Sequence, residues 1–136
     1  MGFVYAEITL KNAADTEFHK RGSMKEPEIR QTTVTAIVDT GAANLVINED
    51  IRQQLGLRID GSYTAKLADG SVKIYSRTEP VEIKWKNRES VQKPILVPSA
   101  NEILLGAIPL EDMDLIVNPV KQELTGAHGD EIIFRI

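Results

Sequence analysis

Apolar and polar positions alternate from Phe3 to Leu10, with Val4, Ala6, Ile8 and Leu10 set against Tyr5, Glu7 and Thr9. This pattern predicts a strand with one buried face. From Lys11 to Gln31 the periodicity disappears. Lys11, Lys20, Arg21, Lys25 and Arg30 lie among acidic and small residues, with Gly22 and Pro27 as breaks, so a long exposed loop or wide hairpin connection is predicted. Thr32 to Val38 is dense in β-branched residues and predicts a second strand, ending at Asp39. Leu45, Val46 and Ile47 read as a short strand buried on both faces. A helix over 49–55 follows, with Asn48 as its N-cap, Glu49 and Asp50 at the positive end of its dipole, Gly56 as its stop, and Ile51 and Leu55 as its apolar stripe.

Thr64 to Tyr75 contains Asp69-Gly70, the signature of a type I′ hairpin turn. That turn would pair Leu67 with Val72 and Ala65 with Ile74 on one apolar face, leaving Lys66 and Lys73 on the other. Val81, Ile83 and Trp85 alternate with Glu82, Lys84 and Lys86 and predict a strand. The chain turns at Asn87-Arg88-Glu89 and returns over 90–97, where Pro94 removes a ladder donor and marks an edge or a bulge. Pro98 to Asn101 reads as a loop and Glu102 to Leu105 as a buried strand entering Gly106. A short helix from Pro109 to Met113 comes next. Leu115 to Val117, Val120 to Leu124 and Glu131 to Ile136 read as the last strands. The fold class expected is therefore all-β with one or two short helices.

Length and composition narrow the function more than the fold. The 136 residues suit one domain spanning 1–136. A net charge of −4 without Lys/Arg clusters argues against nucleic acid as a partner. Cysteine is absent, which excludes disulfides and thiolate metal sites. Neither His19 nor His128 has a second histidine or carboxylate at ligand spacing, so no metal site and no cofactor is expected. The run from Met1 to Glu7 has no basic segment or apolar core of a secretory leader, and no stretch reaches 18 apolar residues. A cytoplasmic protein that does not engage a membrane is the expectation.

The chemistry centres on Ala36-Ile37-Val38-Asp39-Thr40-Gly41-Ala42. A β-branched run delivers Asp39 to a turn that Gly41 allows to be tight, and a carboxylate held at a strand end against apolar walls is suited to proton transfer. The tripeptide alone is a weak signal. It is followed, however, by Leu45-Val46-Ile47 and, 67 residues after Asp39, by the glycine of Leu104-Leu105-Gly106. In these elements and their order the chain resembles the retropepsin-like aspartic proteases, bacterial single-domain members in particular. The loop from Lys11 to Gln31 and the tail from Val120 to Ile136 are longer than the compact retroviral form requires.

The resemblance implies a closed β-barrel of the acid-protease type, with Asp39, Thr40 and Gly41 as the catalytic triplet. It makes the hairpin at Asp69-Gly70 a mobile flap, whose apolar side or whose tip near Ala68 to Ser71 would close over a bound peptide, and implies substrate contacts from Ala42, Ala68, Asp69, Gly70 and Leu105. Peptide hydrolysis by carboxylates needs two of them, one ionised and one protonated. The chain carries one Asp-Thr-Gly, so a homodimer acting on a peptide or protein substrate is implied, with Thr40 bracing the partner's loop. Glu131 to Ile136 is the preferred strand for the dimer sheet. A different class, a catalytically weak peptide-binding or scaffolding dimer on the same fold, has no physical need of such a carboxylate. A phosphate- or sugar-handling enzyme would need a Gly-rich phosphate loop, a metal cluster or a basic pocket that the sequence lacks.

Overall fold

A computed structural model describes residues 3–136; Met1 and Gly2, which begin the N-terminal run read above for a leader, lie outside the described residues. The alternating segment becomes β1 (Val4–Asn12), which buries Ala6, Ile8 and Leu10 as expected. It pairs antiparallel with β2 (Gln31–Val38), from Val4 opposite Val38 to Lys11 opposite Gln31. The remaining strands of the sheet are β3 (Val46–Ile47), β4 (Ile59–Lys66), β5 (Val72–Thr78), β6 (Val81–Trp85), β7 (Arg88–Gln92), β8 (Ile95–Leu96) and β9 (Ile103–Leu105). Their order is β4-β5-β8-β3-β9-β2-β1-β6-β7. The mostly β class holds, and within one chain the sheet curls into a half-barrel whose edges are β4 and β7. A separate hairpin joins β10 (Leu115–Asn118) to β11 (Glu123–Gly126).

Three short helices accompany the strands rather than one or two. The helix expected after Asn48 forms as α2 (Glu49–Leu55): Asn48 accepts the Ile51 N–H at 3.0 Å, and Gly56 closes the helix at φ 62°. Ile51 and Leu55 join one core with Leu45, Ile47, Ile83 and Leu105. The helix expected near Pro109 is α3 (Ala107–Asp112), which adds Leu110 to that core. Pro94 does break its segment, because β7 ends before it and β8 moves to a different place in the sheet, between β5 and β3.

The expected loop over 11–31 is instead β1 running on to Asn12, the helix α1 (Ala13–Lys20) and a 3-10 turn at Glu26–Glu28. Helix α1 has no apolar stripe, and its buried residue is Asp15. Two polar side chains set it. Asn12 caps the helix by accepting the Asp15 N–H at 3.1 Å and donates to the Leu55 carbonyl at 2.8 Å. The Asp15 carboxylate accepts from the Arg30 N–H, Nε and Nη2 at 3.1, 2.8 and 2.9 Å. That guanidinium holds the Asp15 carboxyl below its ordinary range.

Two further expectations are corrected at the C-terminal end. Val120 to Leu124 is a strand only from Glu123, because Asn118 Oδ1 accepts from the Val120 and Lys121 N–H groups and Gln122 reverses the chain at φ 51°. Glu131 to Ile136 forms no strand in the single chain; only Glu131 bridges, to His128. Side chains hold the backbone of this segment at several points. Arg88, expected in a turn, opens β7 fully buried and donates to the carbonyls of Met113, Asp114, Gly129 and Glu131. The Asp114 carboxylate accepts the Ile133 N–H at 3.0 Å and pairs with His128 Nδ1 at 2.7 Å, and these two bonds lower its pKa. The turn before β7 falls on Lys86-Asn87, with Lys86 at φ 52°, and Glu82 is buried where an outward position was expected.

Candidate active site

The parallel pairing of β2 with β9 sets Val38 beside Leu105, so the two strands end together, and the turn Asp39-Thr40-Gly41 leaves the sheet there. The Asp39 N–H donates to the Leu105 carbonyl at 3.0 Å. Asp39 Oδ1 accepts the Gly41 N–H at 2.9 Å, and the Asp39 carbonyl accepts the Ala42 N–H at 3.1 Å. The carboxylate is thus oriented by its own turn. A side chain at position 41 would bring its Cβ to 3.2 Å from Asp39 Oδ1 and press on that oxygen. Asp39 and Ala42 are half-buried, whereas Thr40 and Gly41 face solvent.

Gly106 holds the turn from below. Its backbone is extended, so it is needed for closeness and not for an unusual φ. A Cβ there would lie 2.6 Å from the Ala42 carbonyl oxygen and 2.7 Å from the Asn44 nitrogen, and closer still to the Asn44 carbonyl. The next two residues lock the same contact, since the Ala107 N–H donates to the Ala42 carbonyl and the Ile108 N–H to the Ala43 carbonyl, both at 2.9 Å.

The expected hairpin is present, but its register is displaced by one residue. Lys66 faces Val72, Ala65 faces Lys73 and Thr64 faces Ile74. A type I′ turn needs positive φ at both central residues. Here Gly70 has φ 85°, while Asp69 is not in the left-handed region. The Gly70 N–H donates to the Leu67 carbonyl at 2.9 Å and the Leu67 N–H to the Ser71 carbonyl at 2.8 Å. This makes a three-residue loop, a type I turn closed by a glycine bulge. Asp69 is occupied by that turn: its carboxylate accepts from the Ser71 hydroxyl at 2.5 Å and the Ser71 N–H at 2.9 Å, and both bonds lower its pKa. The slip exposes Val72 and Ile74 at 63% and 69%, and turns Tyr63, Ala65 and Tyr75 to the opposite face.

That opposite face roofs a cleft that begins at the Asp39 turn. Its first lobe, about 550 Å³, is lined by Gly41, Ala42, Asn44, Val46, Ala65 and Leu67 among others. It shares Val46, Ala65 and Ile95 with a second lobe of about 410 Å³, which reaches Tyr75, Glu102 and Leu104. Among the substrate-contacting residues implied by the resemblance, Ala42 lines the cleft. Ala68, Asp69 and Gly70 are exposed at the hairpin tip outside its lining. The Leu105 side chain is fully buried in the core, and its contribution to the site is the carbonyl that holds Asp39. Reading the sequence left out Val46, Ile95 and Leu104, whereas Ala65 belonged to the apolar side of the hairpin expected to close over a peptide. Alternation along β9 was the available signal for Leu104, because Ile103 and Leu105 point into the core. A larger concavity, about 670 Å³, lies elsewhere, under β1 and β6, where Lys11, Lys84 and Lys86 mix with Glu7 and Glu123.

Among the described residues, no group of three or more His, Asp or Glu side chains could hold a metal ion, and no helix is long and apolar enough to cross a membrane. His19 Nδ1 lies 3.0 Å from the Met24 carbonyl oxygen, in contact with backbone rather than with another titratable side chain.

Comparison with known proteins bears on the same region of the chain. The family model described as "gag-polyprotein putative aspartyl protease" matches residues 26–112, a span that includes Asp39, the hairpin and Gly106. Among solved structures, the chain is similar to a retropepsin-like aspartic protease from Rickettsia conorii at 15% identity and a TM-score of 0.53. The match covers 86% of this chain and 77% of that one. At that identity the likeness shows the fold. No curated protein matches the chain.

Proposed function

The chain belongs to this aspartyl protease family of gag-polyprotein type, and on that premise we propose that residues 1–136 act as one protease domain that hydrolyses peptide bonds as a homodimer. Each chain supplies one Asp39. The observation that carries the reading is the tethered, solvent-facing turn: Asp39 is fixed through Leu105 and Gly41, while Thr40 and Gly41 stand at the surface and Gly41 lines the cleft. A carboxylate fixed in this way with nothing opposite it has half of an acid–base pair.

In the dimer, the two Asp39 carboxylates face each other across the two-fold axis and hold a single proton, since like charges so close do not both ionise. The ionised member takes a proton from water as that water attacks the peptide carbonyl. The protonated member polarises the carbonyl oxygen, and the proton is then delivered to the leaving nitrogen. Thr40 meets the partner's turn, and the small Gly41 lets the two turns approach. The peptide lies extended in the cleft under Ala65 and Leu67, with the hairpin tip at Ala68, Asp69 and Gly70 closing over it. The tail over 131–136 leaves Ile132, Ile133 and Phe134 exposed without a strand partner, which supports pairing with a second copy.

The test is Asp39→Asn. The amide fits the same space and cannot accept the proton, so cleavage of a peptide library should disappear while the circular dichroism spectrum and the sedimenting mass are kept. The same digest separates a protease from a peptide-binding dimer, which would retain its peptides and cut none. Cleavage by purified Asp39→Asn protein at the parent rate would refute Asp39 as the catalyst.

A further inference from the structure

Lys66, which lies beside the lobe next to the Asp39 turn, pairs with exposed Val72 and so carries its side chain on the outer face of the hairpin. Glu102 is the one charged residue lining the second lobe. Glu102 is placed there by the alternation of the β9 segment. Ile103 and Leu105 are buried at 6% and 0%, so Glu102 and Leu104 take the other face, toward the cleft. The walls beside Glu102 are apolar: Val46, Ala65, Ile95, Val97 and Leu104.

Glu102 is also without a partner. Several other acidic side chains near the surface take a cation from their own chain: Glu17 with Arg21, Glu49 with Arg52, Asp60 with Lys93 and Glu79 with Arg58. Among the described residues Glu102 makes no such pair and no side-chain hydrogen bond. A carboxylate at the end of an apolar lobe matches a ligand with a long aliphatic stem and a cationic head, which packs its methylenes on the walls and carries its charge to the rim. The Glu102 charge therefore favours seating such a side chain in the second lobe.

The geometry points to Glu102 as a specificity-determining residue that selects peptides carrying lysine or arginine at the position seated in the second lobe. This deepens the protease reading and rests on it. The ion pair stays partly open to water, so it favours a basic residue over an uncharged side chain of equal length by about fivefold.

The experiment uses the full chain and a positional-scanning library to locate the position, then matched peptides with lysine or norleucine there. The readout is the lysine-to-norleucine ratio of kcat/KM. About fivefold is expected for the parent, falling to about one in Glu102→Gln. In Glu102→Lys the preference should reverse toward glutamate, and in the parent the ratio should shrink as salt is raised. A parent ratio near one at every position, or an unchanged ratio in Glu102→Gln, would overturn the assignment. If neither protein cuts any peptide, the protease reading fails, and fluorescence anisotropy with the same labelled peptides decides Glu102 separately. A fivefold difference in Kd that disappears in Glu102→Gln upholds it, and equal Kd values overturn it.

Discussion

Replacing Gly106 with alanine tests whether the Asp39 turn is held by packing. The added methyl would stand 2.6 Å from the Ala42 carbonyl oxygen and 2.7 Å from the Asn44 nitrogen, whereas ordinary contact begins at 3.4 Å. These obstacles and the nearer Asn44 carbonyl are all backbone, so no side chain can swing aside; the 42–44 segment must move by about 1 Å to bring that carbonyl out to 3.4 Å. Overpacking of this kind costs about 1–3 kcal/mol. The same movement stretches the bonds from Ala107 and Ile108 to the Ala42 and Ala43 carbonyls, each worth about 0.5–1.5 kcal/mol. A destabilisation of about 3 kcal/mol follows. In urea, with a slope of about 1–3 kcal/mol per molar for a small protein, the unfolding midpoint should fall by about 1–3 M. The displacement also carries Asp39 off its line of attack, and a shift approaching 1 Å costs activity of the order of a hundredfold. Gly22→Ala is the control, because nothing lies within 4 Å of its Cβ position; its φ of 80° makes the cost about 1 kcal/mol of backbone strain alone. Gly106→Ala protein no less stable than Gly22→Ala, with parental kcat/KM, would refute the wedge.

Three other outcomes follow from the same geometry. If two chains complete the site, specific activity falls on dilution through the dimer dissociation constant, and excess Asp39→Asn protein suppresses the parent by forming one-carboxylate heterodimers; activity proportional to concentration, with a monomeric sedimenting mass, would exclude the shared site. Asp15→Asn removes charge-assisted bonds to Arg30 and should destabilise by about 2 kcal/mol at neutral pH. Because Asp15 is more acidic in the folded chain than its ordinary 3.8, its contribution is complete above about pH 4 to 5 and lost as pH falls through the native value. The gap between parent and variant in urea should therefore close in acid, and a gap constant from pH 7 to pH 3 would contradict the pairing. For the hairpin, amide exchange over 66–74 should be faster than over 81–85 in the free protein and slow when a peptide-like inhibitor binds; equal protection with and without inhibitor would argue against a flap.

What the sequence made legible was local. Helix α2 could be read because Asn48, the Ile51/Leu55 pair and Gly56 act within a few residues of one another. Strands β1 and β6 could be read because one face of each is buried. Helix α1 was hidden because its determinant is Asp15 paired with Arg30, fifteen residues away, and no apolar stripe marks it. Asn12 before Ala13-Ala14 was the one local trace of its start. The hairpin register failed on a single dihedral: Asp69-Gly70 suits two kinds of turn, and only the φ of Asp69 separates them. Arg88 gave no warning, since a buried guanidinium held by four carbonyls depends on where the chain passes 25 to 43 residues later. At the candidate site, Asp39-Thr40-Gly41 and Gly106 were visible as motifs. That Leu105 contributes its carbonyl and not its side chain follows from parallel register, which a sequence does not display.

The parallel pairing of β2 with β9 also has a consequence for the order of events in the cell. Asp39 is synthesised 66 positions before Leu105, the residue whose carbonyl holds it, and Gly106 follows one residue later. A parallel pair closing so long a loop forms late, after the local hairpins. A nascent chain that stops short of Gly106 therefore contains the whole Asp39-Thr40-Gly41 tripeptide with neither its tether nor its wedge. Topology alone leaves the turn without its anchor to the sheet while the ribosome is still at work, and delays the assembly of this site until most of the chain has been made.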